Sequence, residues 1–500
     1  ADKMLDRSVF ATWSQVKEME QSGLVEVASH THNLHNGINA NPSGGQLPSV
    51  IAPEYKNGKY ETEDAYKNRL KSDFTRSVQT LVNHVGKKPR VMVWPYGQFN
   101  DVAVQLARQA GMPHYFSLGE KIINKVGDKH IGRLLLNAET DLNTVKNYLD
   151  GIDESKQIQR VLHVDLDYVY DADKAQQAKN LDKLIDRIYR YGVTTVYLQA
   201  FSDPDGDGVA DALYFPNKYL PVRDDIFGRI AWQLQTRAGV QVYAWMPVLA
   251  FDLRKSVKEA EYVIDSRTGK PSTKAYLRLS PYNKQNVEII KSIYNDLSFY
   301  AKFNGILFHD DAFLTDFEGA EGNHAEGMVS PQAKQKTQDL IQLTHQLTDA
   351  LKPYFLRGSY SLKTARNLYA SVITNPNAEE WLAQNLKTLT DNYDTTAIMA
   401  MPYMENEQPI SQEEAYQWFA SLIENVKTQA PLDKVLFEFQ AVNWRTQKPI
   451  PESELIDWMK LLQKNHIYSY GYYPDNFLTN QPDMNKMKPY FSVNTNAGKK

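Results

Sequence analysis

Gly305-Ile306-Leu307-Phe308-His309-Asp310-Asp311, with Asp316 and Glu318 close behind, is the stretch on which the reading of this chain turns. Its apolar run has the composition of a buried strand, and it empties into four carboxylates, Asp310, Asp311, Asp316 and Glu318. Crowded like charges oppose ionisation and raise one another's pKa. Such a cluster is more often a worksite than an accident, although a solvated acidic loop has the same composition. The position just past the end of a buried strand is where barrel enzymes keep their chemistry.

Working outward from this strand, similar runs recur at Arg160–Asp165, Thr194–Ala200, Val240–Met246, Thr364–Ala370, Thr395–Met401, Lys434–Phe439 and Ser469–Tyr473. Amphipathic helical stretches such as Ala178–Tyr191, Lys284–Phe299 and Pro331–Leu351 separate most of them. Eight strands alternating with helices predict a (β/α)8 TIM barrel over residues 160–500, with all strand ends converging on one mouth. At those ends stand Asp165, Asp167, Trp245, Asp252, Asp310, Asp311, Tyr403, Glu405, Glu438 and Asp475. A ring of carboxylates with interleaved aromatics favours a cationic, ring-shaped ligand, such as an amino-sugar polymer.

The 500 residues exceed one ordinary core and suggest two domains. No apolar window is long enough for a membrane helix. The absence of cysteine removes disulfides, thiolate nucleophiles and Cys-zinc sites without identifying a compartment. A net charge of -4 argues only weakly against a nucleic-acid partner. Thirty Tyr, eight Trp and nineteen Phe suit a sugar cleft, and equally an ordinary core.

Residues 1–150 alternate strand-like and helical patterns, predicting an α/β layer structure. Leu24–Ser29 and Arg90–Trp94 read as strands, Asp64–Val85 as a helix and Asn36–Tyr60 as a long loop. Residues 151–159, polar and without apolar periodicity, read as the linker. Ala1-Asp2-Lys3-Met4 opens without a signal peptide, and Lys3 to Met19 reads as the middle of a domain, so an N-terminal piece is expected to be missing.

Two motifs here carry chemistry. Ser29-His30-Thr31-His32-Asn33-Leu34-His35 places three imidazoles at the end of a strand, enough for two ligands to one ion or for a metal-free surface loop. Trp94-Pro95-Tyr96-Gly97 is a turn whose backbone N–H is suited to an oxyanion. Together they resemble the polysaccharide deacetylase family (NodB-like carbohydrate esterases), with His30 and His35 matching its His motif and Tyr96 falling in the loop that lines its groove. The resemblance implies a distorted β/α-barrel fold and a divalent metal (zinc, nickel, cobalt or iron) held by His30 and His35. It also implies removal of acetyl groups from N-acetylglucosamine. The family's paired-Asp motif has no counterpart: Asp2 and Asp6 stand in no such pair. The deacetylase domain is therefore expected to be truncated and its site incomplete. His130 matches a catalytic histidine of the family poorly.

The segments Val164–Tyr168, Leu279–Asn283, Gly305–Asp311, Lys363–Tyr369 and Ala400–Glu405 extend the likeness. With a deacetylase in front, the chain resembles the two-domain poly-β-1,6-N-acetylglucosamine deacetylases of Gram-negative biofilm operons (the PgaB type). That resemblance implies periplasmic work at the outer membrane, a lipid anchor absent from this sequence and an export porin as partner. It also implies a second domain that binds the partly deacetylated polymer and is similar to a glycoside hydrolase. The catalytic pair is expected among Asp310, Asp311, Asp316 and Glu318. Asp165, Asp167, Glu405 and Asp475 are expected to hold free amines, helped by Asp252 and Glu438. Tyr168, Tyr197, Trp245, Tyr282 and Tyr403 are candidates for ring stacking or for core packing. A barrel that only grips and passes on the polymer needs the same groove. Asp203-Pro204-Asp205-Gly206-Asp207-Gly208 copies half a calcium loop, but Tyr214 stands where the bidentate Glu belongs, which favours a rigid acidic loop.

Overall fold

The computed structural model describes residues 10–118, 123–138, 140–150, 158–272, 275–319, 329–358, 361–406 and 408–494. The chain divides into two compact units. One comprises Ala1–Glu154 with Ser298–Tyr300 and Lys352–Ser361; the other comprises Ser155–Leu297, Ala301–Leu351 and Leu362–Lys500. Most of the expected linker, together with Asp2 and Asp6, lies outside the described residues.

In the first unit a parallel sheet runs Val91–Val93, His114–Leu118, His130–Arg133. Helix Glu63–Val85 starts where the Thr62 side chain accepts from the Ala65 N–H, and it buries Leu70, Phe74, Ser77, Leu81 and Val85 along one stripe. The expected strand Leu24–Ser29 is not formed; only Ser29 bridges to Met92. Local side chains explain this: the Val27 N–H donates to the Glu20 carboxylate, Glu26 pairs with Arg90, and Leu24 is exposed. Backbone groups satisfied by side chains leave little to drive a ladder. The expected loop Asn36–Tyr60 contains two short hairpins, Gly37–Asn39 with Gln46–Pro48 and Tyr55–Lys56 with Lys59–Tyr60. The second turns on Asn57-Gly58, both at positive φ, the residue pair that a type I′ turn selects.

The second unit is a closed, all-parallel barrel of eight strands: β1 (Arg160–Val164), β2 (Thr195–Gln199), β3 (Gln241–Met246), β4 (Gly305–Phe308), β5 (Lys363–Tyr369), β6 (Thr395–Ala400), β7 (Val435–Gln440) and β8 (Tyr470–Tyr473). Strands follow in chain order, and Gly471 of β8 opposite Val161 of β1 closes the circle. Each strand lies within a residue of its expected position. All residues of β1, β2, β4, β6 and β7 are buried, as befits strands with core on one face and helices on the other. Helix Lys174–Tyr191 is capped by Asp173 and presents Leu181, Leu184, Ile185 and Ile188 inward. Each such side chain contributes about 1.5–3 kcal/mol as an upper estimate. Gly305 opens β4 because a Cβ there would lie 2.8 Å from both the Lys363 carbonyl and the Tyr243 ring. Close approach of three strands thus fixes the glycine that precedes the acidic cluster.

Candidate active site

Strand β4 ends at Phe308, and the chain then turns so that His309 and Asp310 stand at the mouth of the barrel. Asp310 is buried and is held by side-chain donors. Tyr276 donates its hydroxyl to both carboxylate oxygens at 2.9 Å, and Tyr369, the last residue of β5, donates at 2.8 Å. His309 Nε2 lies 3.0 Å from Asp310 Oδ1. Burial opposes the charge, but His309 and the two phenols outweigh it and hold the Asp310 carboxyl below its usual range. Burial likewise disfavours the His309 cation, while Asp310 and Asp311 raise its pKa. Each group thus favours the charged form of the other.

Asp311 and Glu318 have other work. Asp311 is fully buried and accepts from the backbone N–H groups of Val248, Leu249 and Ala250, at 2.6–3.0 Å, so it ties down the loop after β3. Glu318 is 1% exposed, receives Arg278 Nη2 at 2.6 Å and the Thr315 N–H at 2.9 Å, and serves as a buried ion-pair partner. The oxygens of both carboxylates are engaged by these structural donors. Asp316 is half-buried in a side cleft.

Glu405, after β6, was expected to bind amines, and it is held differently. Burial pushes its carboxyl up to about 7, against hydrogen bonds from the Ala370 N–H and from Ser371, with the Asp310 charge adding to the rise. Asp165, after β1, is also raised to about 7, first by burial and then by Asp167, and Tyr473 donates to it. Its Oδ1 is buried without a hydrogen-bond partner, as are Trp245 Nε1 and His309 Nδ1. Buried polar atoms left unpaired in one aromatic pocket are the mark of a ligand-binding surface. The rings of Trp245, His309 and Tyr473 meet there at centroid separations of 5.3–5.4 Å. Tyr168 borders the same acids, which together with burial raise its phenol pKa.

Other expected binders are placed elsewhere. Asp475 is buried against Arg187, at 2.6 Å, and Tyr472. Glu438 lies within β7, 1% exposed, between His163 and Asn367 in the barrel interior. Tyr197 is fully buried in β2 and packs on Tyr243, a core role rather than a stacking one. Asp167 is engaged by Tyr214, Ser202 and Arg223. Asp252 pairs with Arg254, Tyr403 donates to Glu454, and half-exposed Tyr282 donates to Asp339. The Asp203 carboxylate is wrapped by the backbone N–H groups of Gly206, Asp207 and Gly208. Tyr276 escaped the sequence reading altogether, since it belongs to no strand end; Tyr369 and Tyr473 close strands, which was a usable signal.

In the first unit His30 Nδ1 lies 2.8 Å from the Val93 carbonyl, to which it donates. That fixes the tautomer and leaves Nε2 as the lone-pair nitrogen, 3.1 Å from His35 Nδ1. Two imidazole nitrogens converging at this distance fit adjacent ligands of one divalent ion. Asp73 accepts from the His32 and Asn33 N–H groups and so shapes the loop. Tyr96, at positive φ, sets its exposed ring on His35 at 4.5 Å. His130 stacks on Tyr115 and meets Ser117 at 2.6 Å, within the sheet. Among the described residues only Asp203, Asp205 and Asp207 form a group of three potential ligands, and the histidine pair offers two.

Comparison with known proteins assigns both halves. The model described as hypothetical glycosyl hydrolase family 13 matches residues 163–473, and the polysaccharide deacetylase model matches residues 4–115. The poly-beta-1,6-N-acetyl-D-glucosamine N-deacetylase of Escherichia coli K12 is 40% identical over 518 residues, covering 98% of this chain and 76% of that protein. The enzyme of the same name from Staphylococcus aureus MSSA476 is 28% identical over 141 residues, 28% of this chain and 42% of its own. The solved glycoside hydrolase domain of PgaB (BpsB) from Bordetella bronchiseptica is 38% identical. It covers 68% of this chain and all of that one, with a TM-score of 0.61.

Proposed function

The chain belongs to the family of two-domain poly-β-1,6-N-acetylglucosamine N-deacetylases, and from that membership we propose that it deacetylates this polymer with its first domain and cleaves the partly deacetylated product with its barrel. The observation that carries the second step is a buried carboxyl and a half-buried one in contrasting surroundings: Asp310 takes hydrogen bonds from Tyr276 and Tyr369 and is held down, whereas Glu405 accepts from the Ala370 N–H and is pushed up to about 7. Glycoside hydrolysis needs one carboxyl protonated and one ionised across the scissile bond. Glu405 donates its proton to the leaving glycosidic oxygen. The Asp310 carboxylate stabilises the positive charge that develops at the anomeric carbon as the glycosidic C–O bond breaks, and a solvent water adds to that carbon and returns a proton to Glu405. Asp165, beside the already paired Asp167, receives the ammonium of a glucosamine unit, with Trp245 and Tyr168 against its ring.

For deacetylation, His30 and His35 are the residues that would hold a divalent metal, and such an ion polarises an acetyl carbonyl and activates water. Tyr96, beside His35, borders the position an acetamido group would take. The convergence of the two imidazoles supports this assignment.

We place the protein in the periplasm against the outer membrane, handing polymer to an export porin. The reading is supported by relatives that process the same polymer, from Escherichia coli and Bordetella bronchiseptica. Among the described residues no helix is long and apolar enough to cross a membrane. Fractionation of cells expressing the protein tests this: recovery with cytoplasmic markers would contradict it.

The two activities separate in one experiment. Fully acetylated polymer incubated with a form that carries the paired-Asp motif should release acetate, and partly deacetylated polymer incubated with this chain should gain reducing ends. A grip-and-transfer barrel would bind the second polymer and leave its length unchanged.

A further inference from the structure

A cleft opens beside Tyr369, lined also by Arg267, Phe313, Asp316, Phe317, Trp381 and Leu382. Two of its side chains make no hydrogen bond or ion pair among the described residues. Trp381 is 41% exposed, a large flat ring left facing solvent. The charge of Asp316 reaches Arg267 and Lys336, but the guanidinium is already paired with Asp265 at 2.6 Å and lies on the Phe317 ring at 3.9 Å, and the ammonium donates to the Thr315 carbonyl at 3.0 Å. The cleft is joined to the reacting carboxylate through Tyr369, which lines it and donates to Asp310 at 2.8 Å. A space that reaches the cleavage point, walled by aromatics and holding one free carboxylate, is built for a ring that carries a positive charge.

We propose that this cleft is a separate sugar subsite, taking one glucosamine unit of the polymer with its ring against Trp381 and its ammonium on Asp316. The proposal rests on the reading of the barrel as a hydrolase of this polymer and extends it to a second place of amine recognition, away from Asp165 and Asp167. The ring face gains from the apolar surface of Trp381, Phe313 and Leu382. The ammonium gains a charge-assisted hydrogen bond, which a neutral acetamido group does not make. Asp316 thereby reads the acetylation state of a neighbouring unit, a role in recognition rather than in proton transfer.

The test is calorimetric titration of the full chain with a β-1,6-glucosamine pentamer and with its fully N-acetylated counterpart, in Asp310→Asn protein so that neither is consumed. Trp381→Ala should weaken both ligands by about five- to tenfold, with Trp381→Phe recovering part of the loss. Asp316→Asn should weaken only the glucosamine pentamer, by about three- to tenfold, and added salt should shrink that difference. Parent-like binding of both pentamers by both variants overturns the subsite while leaving the hydrolase reading intact. A protein that binds neither pentamer and shortens no polymer removes the hydrolase reading and the subsite with it.

Discussion

Tyr276 and Tyr369 together supply three hydrogen bonds to Asp310, all within 2.9 Å, and with His309 they hold its pKa down. Removing a donor from an anion destabilises the charged form, so Tyr276→Phe and Tyr369→Phe each raise the Asp310 pKa. Activity that needs the Asp310 anion falls as pH drops through that pKa, so the acidic limb of the cleavage profile should move to higher pH in both variants. A merely structural role would lower activity without moving the limb. Glu405 sets the other side. With its carboxyl near 7, the proton required for donation is present below that pH and lost above it, so cleavage should decline through about pH 7. Glu405→Gln should abolish this limb and cost about 10²–10⁴-fold in kcat, the usual weight of a general acid. The acid cluster was legible in the sequence, but the division of labour within it was not. Spacing along a chain cannot tell that Asp311 faces three backbone N–H groups while Asp310, one residue earlier, faces two phenols.

At the scale of elements, buried acids act as fasteners. Arg187 and Asp475 tie the helix Lys174–Tyr191 to the segment after β8, both nearly inaccessible to water. Asp475→Ala leaves the guanidinium buried and unpaired, which should cost about 3–5 kcal/mol in urea unfolding while leaving oligosaccharide affinity in the folded fraction unchanged. Loss of affinity without loss of stability would return Asp475 to the groove. The loop Asp203–Gly208 buttresses the site in another way. Gly208 sits at φ +79°, and a Cβ there would stand 2.0 Å from the Tyr276 ring. Gly208→Ala should therefore displace Tyr276 from Asp310 and reproduce the shifted acidic limb of Tyr276→Phe. Strand positions were readable because an all-parallel barrel buries each strand in a continuous apolar run bounded by polar turns. The Leu24–Ser29 segment misled because its composition suits a strand, whereas its Val27 N–H is taken by the Glu20 carboxylate and its Leu24 N–H by the Ser22 hydroxyl.

Across the whole molecule two chemistries reside in two units that share a polymer. If the proposed divalent ion serves deacetylation through His30 and His35, His30→Ala should stop the acetate release of a form that carries the paired-Asp motif and leave cleavage of already deacetylated polymer unaffected. A chelator should discriminate in the same direction. Parallel loss of both activities on metal removal would contradict the assignment of the histidine pair to deacetylation. The central claim concerns the barrel, and mass spectrometry of partly deacetylated poly-β-1,6-N-acetylglucosamine tests it most directly. Parent protein, Asp310→Asn, Glu405→Gln and Glu318→Gln would each be incubated with the same polymer, with folding checked by thermal melting. The account expects shorter oligomers from the parent and none from folded Asp310→Asn or Glu405→Gln, whereas whatever fraction of Glu318→Gln remains folded still cleaves. Intact polymer with the parent, or undiminished cleavage by Asp310→Asn and Glu405→Gln, would contradict it.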